Sequence, residues 1–138
     1  MGLAMTKCNE LKEKIQVHIP LHGARLNFMV RFVMSVIVVR SVTMSRVASV
    51  LNPSVLIESN EKRIKRFFRQ VNIAPEGFAT LMLALLPLKT KLVITLDRTT
   101  WQLGTCTINI LMLGVAYKGI AFPLLWTLLD KQGNTDSK

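Results

Sequence analysis

The chain is poor in acidic residues and in cysteine for its length of 138 residues. Eight Asp and Glu stand against eighteen Lys and Arg, which gives a formal net charge of +10 at pH 7. Such an excess favours a polyanionic partner, either nucleic acid or an anionic membrane surface. Cys8 and Cys106 form no CxxC motif and have no paired His, so we interpret them as reduced, small apolar residues and predict no disulfide framework.

The sequence also lacks an uninterrupted apolar stretch that could cross a membrane, which takes roughly twenty residues. Residues 26–39 are too few and include Arg31. Residues 105–129 are interrupted by Lys118 and Pro123, and a charge near the bilayer centre is costly. The N-terminus has no basic region followed by an apolar stretch and a cleavage site. We therefore expect a cytoplasmic protein with no membrane partner.

The chain contains no internal repeat and no low-complexity segment, but it changes character near residue 71. Before this point, apolar residues recur at helical spacing among many basic residues. After it, apolar runs typical of strands are separated by short polar breaks. We predict an α+β chain with a helix-turn-helix-like region over residues 1–70, a helical connector over 71–90 and a β-rich region over 91–138.

The first region is predicted to contain several short helices. Residues 26–39 form one candidate, and Thr43 is a candidate N-cap for a second over residues 44–51. This second helix is expected to stop at Asn52, because the following proline disfavours helix in the residue before it. A third helix is predicted to start near Ser59.

The second region is predicted to be a β-meander. The expected elements are a helical link over residues 77–88 and strands over residues 92–96, 106–116 and 120–129. A tight hairpin at residues 117–119 suits Gly119, which is free to take a positive φ angle. Pro123 places its strand at an edge or next to a bulge, because proline has no N–H to donate.

The clearest pattern in the helical region is SNEKRIKRFFRQV, residues 59–71. Four apolar residues at spacing i, i+3, i+4 and i+7 form a single stripe: Ile64, Phe67, Phe68 and Val71. The opposite face is cationic, and its residues are Lys62, Arg63, Lys65, Arg66 and Arg69.

Three interpretations of this helix are open: an ordinary solvated face, an amphipathic helix on a membrane surface, and a DNA-binding helix. Ordinary charged faces usually mix both signs, whereas this face is almost purely positive. The helix also follows a short helix and a turn that contains Pro53, as the second helix of a helix-turn-helix does. We therefore predict that its basic residues contact DNA.

Residues 91–104, KLVITLDRTTWQLG, place Asp97 at the end of an apolar run. A buried carboxylate is costly unless it is paired or coordinates a metal. The pattern alone is compatible with a side chain that caps the following turn and with part of a metal site. A two-metal hydrolytic site needs several carboxylates, and nearby the chain offers only Asp130 and Asp136.

Residues 96–134 resemble the opening of the catalytic domain of insertion-sequence DDE transposases. The family pattern LDRTNWxxG…INIL…YKG…PLLWxxLDKxGN matches this stretch nearly continuously, and the departure is Thr100, where the family commonly has Asn. The segment RIKRFFRQ is also similar, more loosely, to a family segment just before the catalytic core.

The resemblance implies an RNase H-like core that begins with a three-stranded β-meander, preceded by a small helical DNA-binding domain. It implies that Asp97 is the first member of the catalytic triad and binds Mg²⁺, whereas Asp130 is a structural cap. The implied partner is the double-stranded DNA of the element ends, with a homodimer or an intact transposase as a further partner.

The other two triad carboxylates lie further along in family members, so the resemblance implies a piece of a transposase that lacks most of its triad. Two other functions remain open. One is a catalytically inert DNA-binding module that competes with the intact enzyme. The other is a small basic membrane-associated protein.

Overall fold

The computed structural model describes residues 2–87 and 91–129, which form five helices and a three-stranded antiparallel sheet. The predicted α+β class is confirmed. The helices are α1 (Gly2–His18), α2 (Gly23–Val39), α3 (Met44–Leu51), α4 (Ile57–Gln70) and α5 (Pro75–Leu85), and the strands are β1 (Val93–Leu103), β2 (Cys106–Tyr117) and β3 (Ile120–Leu129). The chain divides into two compact units, Met1–Ala74 and Pro75–Lys138.

The core of the first unit lies where α2, α3 and α4 pack together. Its buried residues are Val47, Ala48, Leu51 and Ile64, and Phe28, Phe32, Val36 and Val39 pack against them. The three α3 residues, Val47, Ala48 and Leu51, recur on one face of a short helix, and this face packs into the core. Burial of such side chains contributes about 1.5–3 kcal/mol each for the larger ones.

Most of the predicted boundaries in this unit are close to the observed ones. Helix α3 occupies the predicted residues and ends before Asn52, and Thr43 is its N-cap residue, although the Thr43 side chain makes no capping hydrogen bond. Helix α4 begins at Ile57, not near Ser59, because the N–H groups of Ser59 and Asn60 already donate to the Leu56 carbonyl.

The second unit contains the sheet, with strand order β1-β2-β3, and helix α5, which packs on β3. The predicted hairpin turn is confirmed, since Lys118 and Gly119 have φ angles of 50° and 78° between β2 and β3. Two consecutive positive φ angles are the geometry of a tight two-residue hairpin turn. The ring of Phe78 on α5 meets Trp126 at 5.1 Å, edge to face.

The prediction for Pro123 is also confirmed, because β3 is an edge strand with an irregular register. Gly114 pairs with Pro123, whereas its neighbour Leu113 pairs with Leu125. Leu124 is therefore the extra residue of a β-bulge, and its side chain is buried.

The predicted end of the first strand at residue 96 is wrong. Strand β1 continues to Leu103, and its second half pairs with β2 through Thr99, Thr100 and Trp101. These β-branched and aromatic residues suit a pleated sheet, and Gly104, with a φ angle of 61°, begins the turn into β2.

Within the described residues, no single helix is both long enough and apolar enough to span a membrane. Helices α2 and α3 together meet the criteria of length and composition, but the chain bends by 114° between them.

Candidate nucleic-acid interface

The rotation of α4 about its axis is fixed by two residues of its apolar stripe. Ile64 and Phe67 are only 2% and 8% exposed, and the Phe67 ring lies 4.8 Å from that of Phe28 on α2. The stripe is narrower than the sequence predicts, since Phe68 is 57% exposed and only its ring contacts with Phe32 and Phe67 tie it to the unit. Anchoring by Ile64 and Phe67 therefore sets which side chains of α4 face solvent.

All five predicted DNA-contacting side chains are exposed on the opposite face: Lys62, Arg63, Lys65, Arg66 and Arg69. Together with Ser59 they line a shallow depression of about 500 Å³, and no acidic side chain lines it. Within residues 2–87 and 91–129, none of the five forms an ion pair. Five positive charges on adjacent turns of one helix are thus left to interact with solvent or with a polyanion.

The orientation of α4 relative to α3 depends on Asn60, which sequence reasoning missed. Its side chain is fully buried, and its amide nitrogen donates to the carbonyl oxygens of Ala48 at 2.9 Å and Asn52 at 3.0 Å. The Ala48 carbonyl belongs to the last turn of α3, where helix carbonyls lack partners within the helix. Asn60, in the first turn of α4, therefore caps the C-terminal end of α3 and holds the turn between the two helices.

One further cationic side chain, also missed from the sequence, extends the basic surface towards α2. Arg25 is exposed near the start of α2 and faces the same cleft as Arg63 and Arg66. The Arg63 guanidinium carbon lies 5.7 Å from the centre of the Phe28 ring, a distance typical of a cation–π contact.

Asp97 lies in the interior of β1, opposite Met112, and is neither buried nor at the end of the strand. The predicted position at the end of a strand is wrong, because β1 continues past Asp97, whose side chain projects from an exposed part of the sheet. One carboxylate oxygen accepts a hydrogen bond from the Arg98 backbone N–H at 2.8 Å. Asp97 and Arg98 are consecutive in a strand, so their side chains project from opposite faces.

The Arg98 side chain belongs to a polar group on that other face. Its guanidinium donates to the side-chain oxygen of Asn109 at 3.4 Å, and the Thr100 hydroxyl donates to the same oxygen at 2.9 Å. Asn109 is 4% exposed. Arg98 and Thr100 on β1 thus satisfy the buried side-chain oxygen of Asn109 on β2. This contact explains why Arg and Thr follow an apolar run.

The described residues do not bring together enough ligands for a Mg²⁺ site. Among residues 2–87 and 91–129, no cluster of three or more His, Cys, Asp or Glu side chains could hold a metal ion. Asp130 and Asp136 lie outside the described residues. Mg²⁺ requires near-ideal octahedral coordination by oxygen, and the single exposed carboxylate of Asp97 supplies too few ligands to fix it.

No protein-family model matches the chain, and the comparisons with curated proteins and with solved structures find no match either.

Proposed function

We propose that the chain binds double-stranded DNA through the cationic face of α4, as the DNA-binding part of an insertion-sequence DDE transposase. DNA binding is supported by the cluster of five basic side chains between Lys62 and Arg69 on the exposed face of an anchored helix. Its five basic side chains are exposed and have no acidic neighbour in the depression that they line.

The dimensions of α4 support a helix in the major groove. Its fourteen residues correspond to a length of about 21 Å, and the major groove of B-DNA, about 12 Å wide, admits one helix. The short helix α3, the turn at residues 52–56 and α4 follow one another in the order of a helix-turn-helix motif. Asn60 supports this function indirectly, because a recognition helix must be held firmly by the helix before it.

The membrane alternative is disfavoured by the burial of the apolar stripe of α4. A helix that lies on a membrane inserts its apolar side chains into the headgroup region. Ile64 and Phe67 are instead buried in the first unit, so insertion would require this unit to open. Phe68 remains 57% exposed, but one aromatic side chain gives little apolar area for insertion, whereas the five exposed basic side chains favour a partner that is bound by charge.

The transposase assignment rests on the resemblance of residues 96–134, and the antiparallel order β1-β2-β3 is compatible with a β-meander at the start of an RNase H-like core. Asp97 is the carboxylate that the resemblance assigns to the triad, and its exposure leaves it accessible. The described residues assemble no group of three or more metal-ligating side chains around it. This observation favours, for the chain by itself, the second candidate function of a DNA-binding module that competes with an intact transposase.

The test is the salt dependence of duplex binding, measured by fluorescence anisotropy. Replacement of Arg66 and Arg69 by Ala should weaken binding and reduce the slope of log K against log salt by about 0.9 for each phosphate that is no longer neutralised. A matched control, the double variant Lys14→Ala/Arg31→Ala, removes the same charge from exposed positions on α1 and α2. If both double variants reduce the slope equally, the interaction is a general charge effect and α4 is not the contact surface.

A further inference from the structure

A cleft of about 310 Å³ lies between the first turns of α2 and the C-terminal half of α4. Arg25 enters it from α2, and Arg63, Arg66 and Gln70 enter it from α4, while Phe28 and Phe67 contribute apolar wall. No carboxylate lines the cleft. Three arginine side chains and one amide side chain thus line a small volume to which the protein contributes no negative charge.

The chemistry of this cleft matches a phosphate group. Guanidinium groups bind phosphate oxygens through paired N–H donors, and such charge-assisted hydrogen bonds are stronger than neutral ones. The apolar wall reduces competition from water and so strengthens the attraction between opposite charges. An anion in the cleft also relieves the mutual repulsion of Arg25, Arg63 and Arg66.

The position of the cleft on α4 indicates where the phosphate comes from. Lys62, Arg66 and Arg69 lie near the centre of the cationic face, whereas Arg63 lies at its margin, next to α2. A helix in the major groove directs its central side chains towards base edges and its flanks towards the phosphates of the groove walls. The cleft occupies such a flank.

We propose that the cleft between α2 and α4 holds a backbone phosphate of the bound duplex, with Arg25 as a ligand contributed by a helix outside the helix-turn-helix pair. The proposal rests on the proposed DNA-binding function and adds the site of one backbone contact. Because phosphate contacts carry no direct sequence information, removal of the Arg25 side chain should weaken the binding of every duplex by the same factor.

The experiment compares the full chain with the variants Arg25→Ala and Arg31→Ala. Both residues are exposed arginines of α2, but Arg31 does not line this cleft. Each protein is titrated with a duplex that contains the sequence of the element ends and with a duplex of random sequence, over a range of salt concentrations. Arg25→Ala should reduce the salt slope by about 0.9 for both duplexes, whereas Arg31→Ala should leave it unchanged.

A second variant, Gln70→Glu, introduces a carboxylate into the cleft without removing an arginine. It should weaken duplex binding more than the control Gln16→Glu, which makes the same change at an exposed position of α1. Far-UV circular dichroism and thermal melting should show that all four variants are folded like the wild type, since each site is exposed.

The outcomes separate this proposal from the one on which it rests. If Arg25→Ala and Gln70→Glu bind duplex with wild-type affinity and slope while Arg66→Ala/Arg69→Ala is impaired, α4 binds DNA and the cleft proposal is overturned. If the wild-type chain binds no duplex at any salt concentration, both proposals fail.

Vesicles that contain anionic phospholipid form a further arm of the experiment. A requirement for Arg25 on vesicles but not on duplex would assign the cleft to a lipid headgroup and overturn the DNA assignment.

Discussion

Asn60 is a polar side chain whose contribution to the first unit is structural. Its two amide hydrogens meet the carbonyl oxygens of Ala48 and Asn52, and the side chain is fully buried. Among the described residues, its own side-chain oxygen has no hydrogen-bond partner. A buried amide of this kind is costly to place, so the carbonyl contacts must outweigh the loss of hydration.

The variant Asn60→Ala should therefore be clearly destabilised. Removal of the amide leaves buried carbonyls without their donor and opens a small cavity, which together should lower the free energy of unfolding by about 1–3 kcal/mol. The measurement is urea unfolding followed by far-UV circular dichroism, which reports the helices. Asn27→Ala, at an exposed position of α2, is the matched control and should stay close to the wild type. Equal stabilities for the two variants would contradict the role assigned to Asn60.

Single residues also show where sequence reasoning succeeded and where it could not. The exposure of the five basic residues followed from helical periodicity, because opposite faces of one helix are set by local spacing. Asn60 and Asn109 were missed because their partners lie on other elements, eight to twelve residues away along the chain. A local pattern does not record such contacts. The position of Asp97 at the end of a strand was predicted wrongly for a related reason: the extent of β1 depends on its pairing with β2.

At the scale of elements, hairpin pairing explains the error in β1. The apolar run before Asp97 is the obvious strand signal, but the polar residues after it pair with β2 and extend β1 to Leu103. The bounds of β2 and β3 were predicted well, since their residues are mostly apolar and the turn at Lys118 and Gly119 fixes their register. The sequence therefore predicted the strand lengths where both paired strands are mostly apolar. It did not predict the length of β1, whose second half is polar.

Gly114 is a position in the sheet where even one added carbon atom meets close neighbours. A Cβ atom there would lie 3.0 Å from the Phe122 carbonyl oxygen and 3.1 Å from the Thr95 hydroxyl. The first contact is with backbone in the neighbouring strand at the bulge, so relief requires β3 to move. Gly114→Ala should lower the free energy of unfolding of the second unit by about 1–3 kcal/mol, as overpacking does elsewhere.

Tryptophan fluorescence provides the measurement for this variant, because both tryptophans of the chain, Trp101 and Trp126, lie in the sheet. The control is Gly23→Ala, since a Cβ at that position meets nothing within 4 Å. An alanine at the first residue of α2 should be neutral or stabilising by up to about 1 kcal/mol. A Gly114→Ala protein as stable as the wild type would mean that the bulge is more adaptable than its close contacts indicate.

At the scale of the whole molecule, positive charge is concentrated in one of the two units. Residues 1–74 contain twelve Lys and Arg against four Asp and Glu, whereas residues 75–138 contain six against four. The net charges are therefore +8 and +2 at pH 7. An asymmetry of this size supports a division of roles in which the helical unit binds the polyanion and the sheet unit carries Asp97.

This division leads to a prediction about catalysis by the chain as it stands. Hydrolysis by a two-metal mechanism requires carboxylates that hold two ions about 3.5–4 Å apart. Asp97 is the one acidic side chain that the family resemblance assigns to metal binding, and the described residues assemble no cluster of three ligands around it or elsewhere. The 138-residue chain should consequently bind end-containing duplex but produce no strand cleavage with Mg²⁺ or Mn²⁺.

The assay incubates the purified chain and its Asp97→Ala variant with end-labelled duplex and each metal, and resolves the products on a denaturing gel. Both proteins should leave the duplex intact and should bind it with the same affinity, because Asp97 is not one of the proposed DNA contacts, which lie on α4 and α2. Weaker binding by the wild type than by Asp97→Ala would instead place the carboxylate near the DNA backbone, since removal of a negative charge there relieves repulsion. Cleavage by the wild type that disappears in Asp97→Ala would overturn the prediction and show that the chain completes a metal site with ligands beyond those of the described residues.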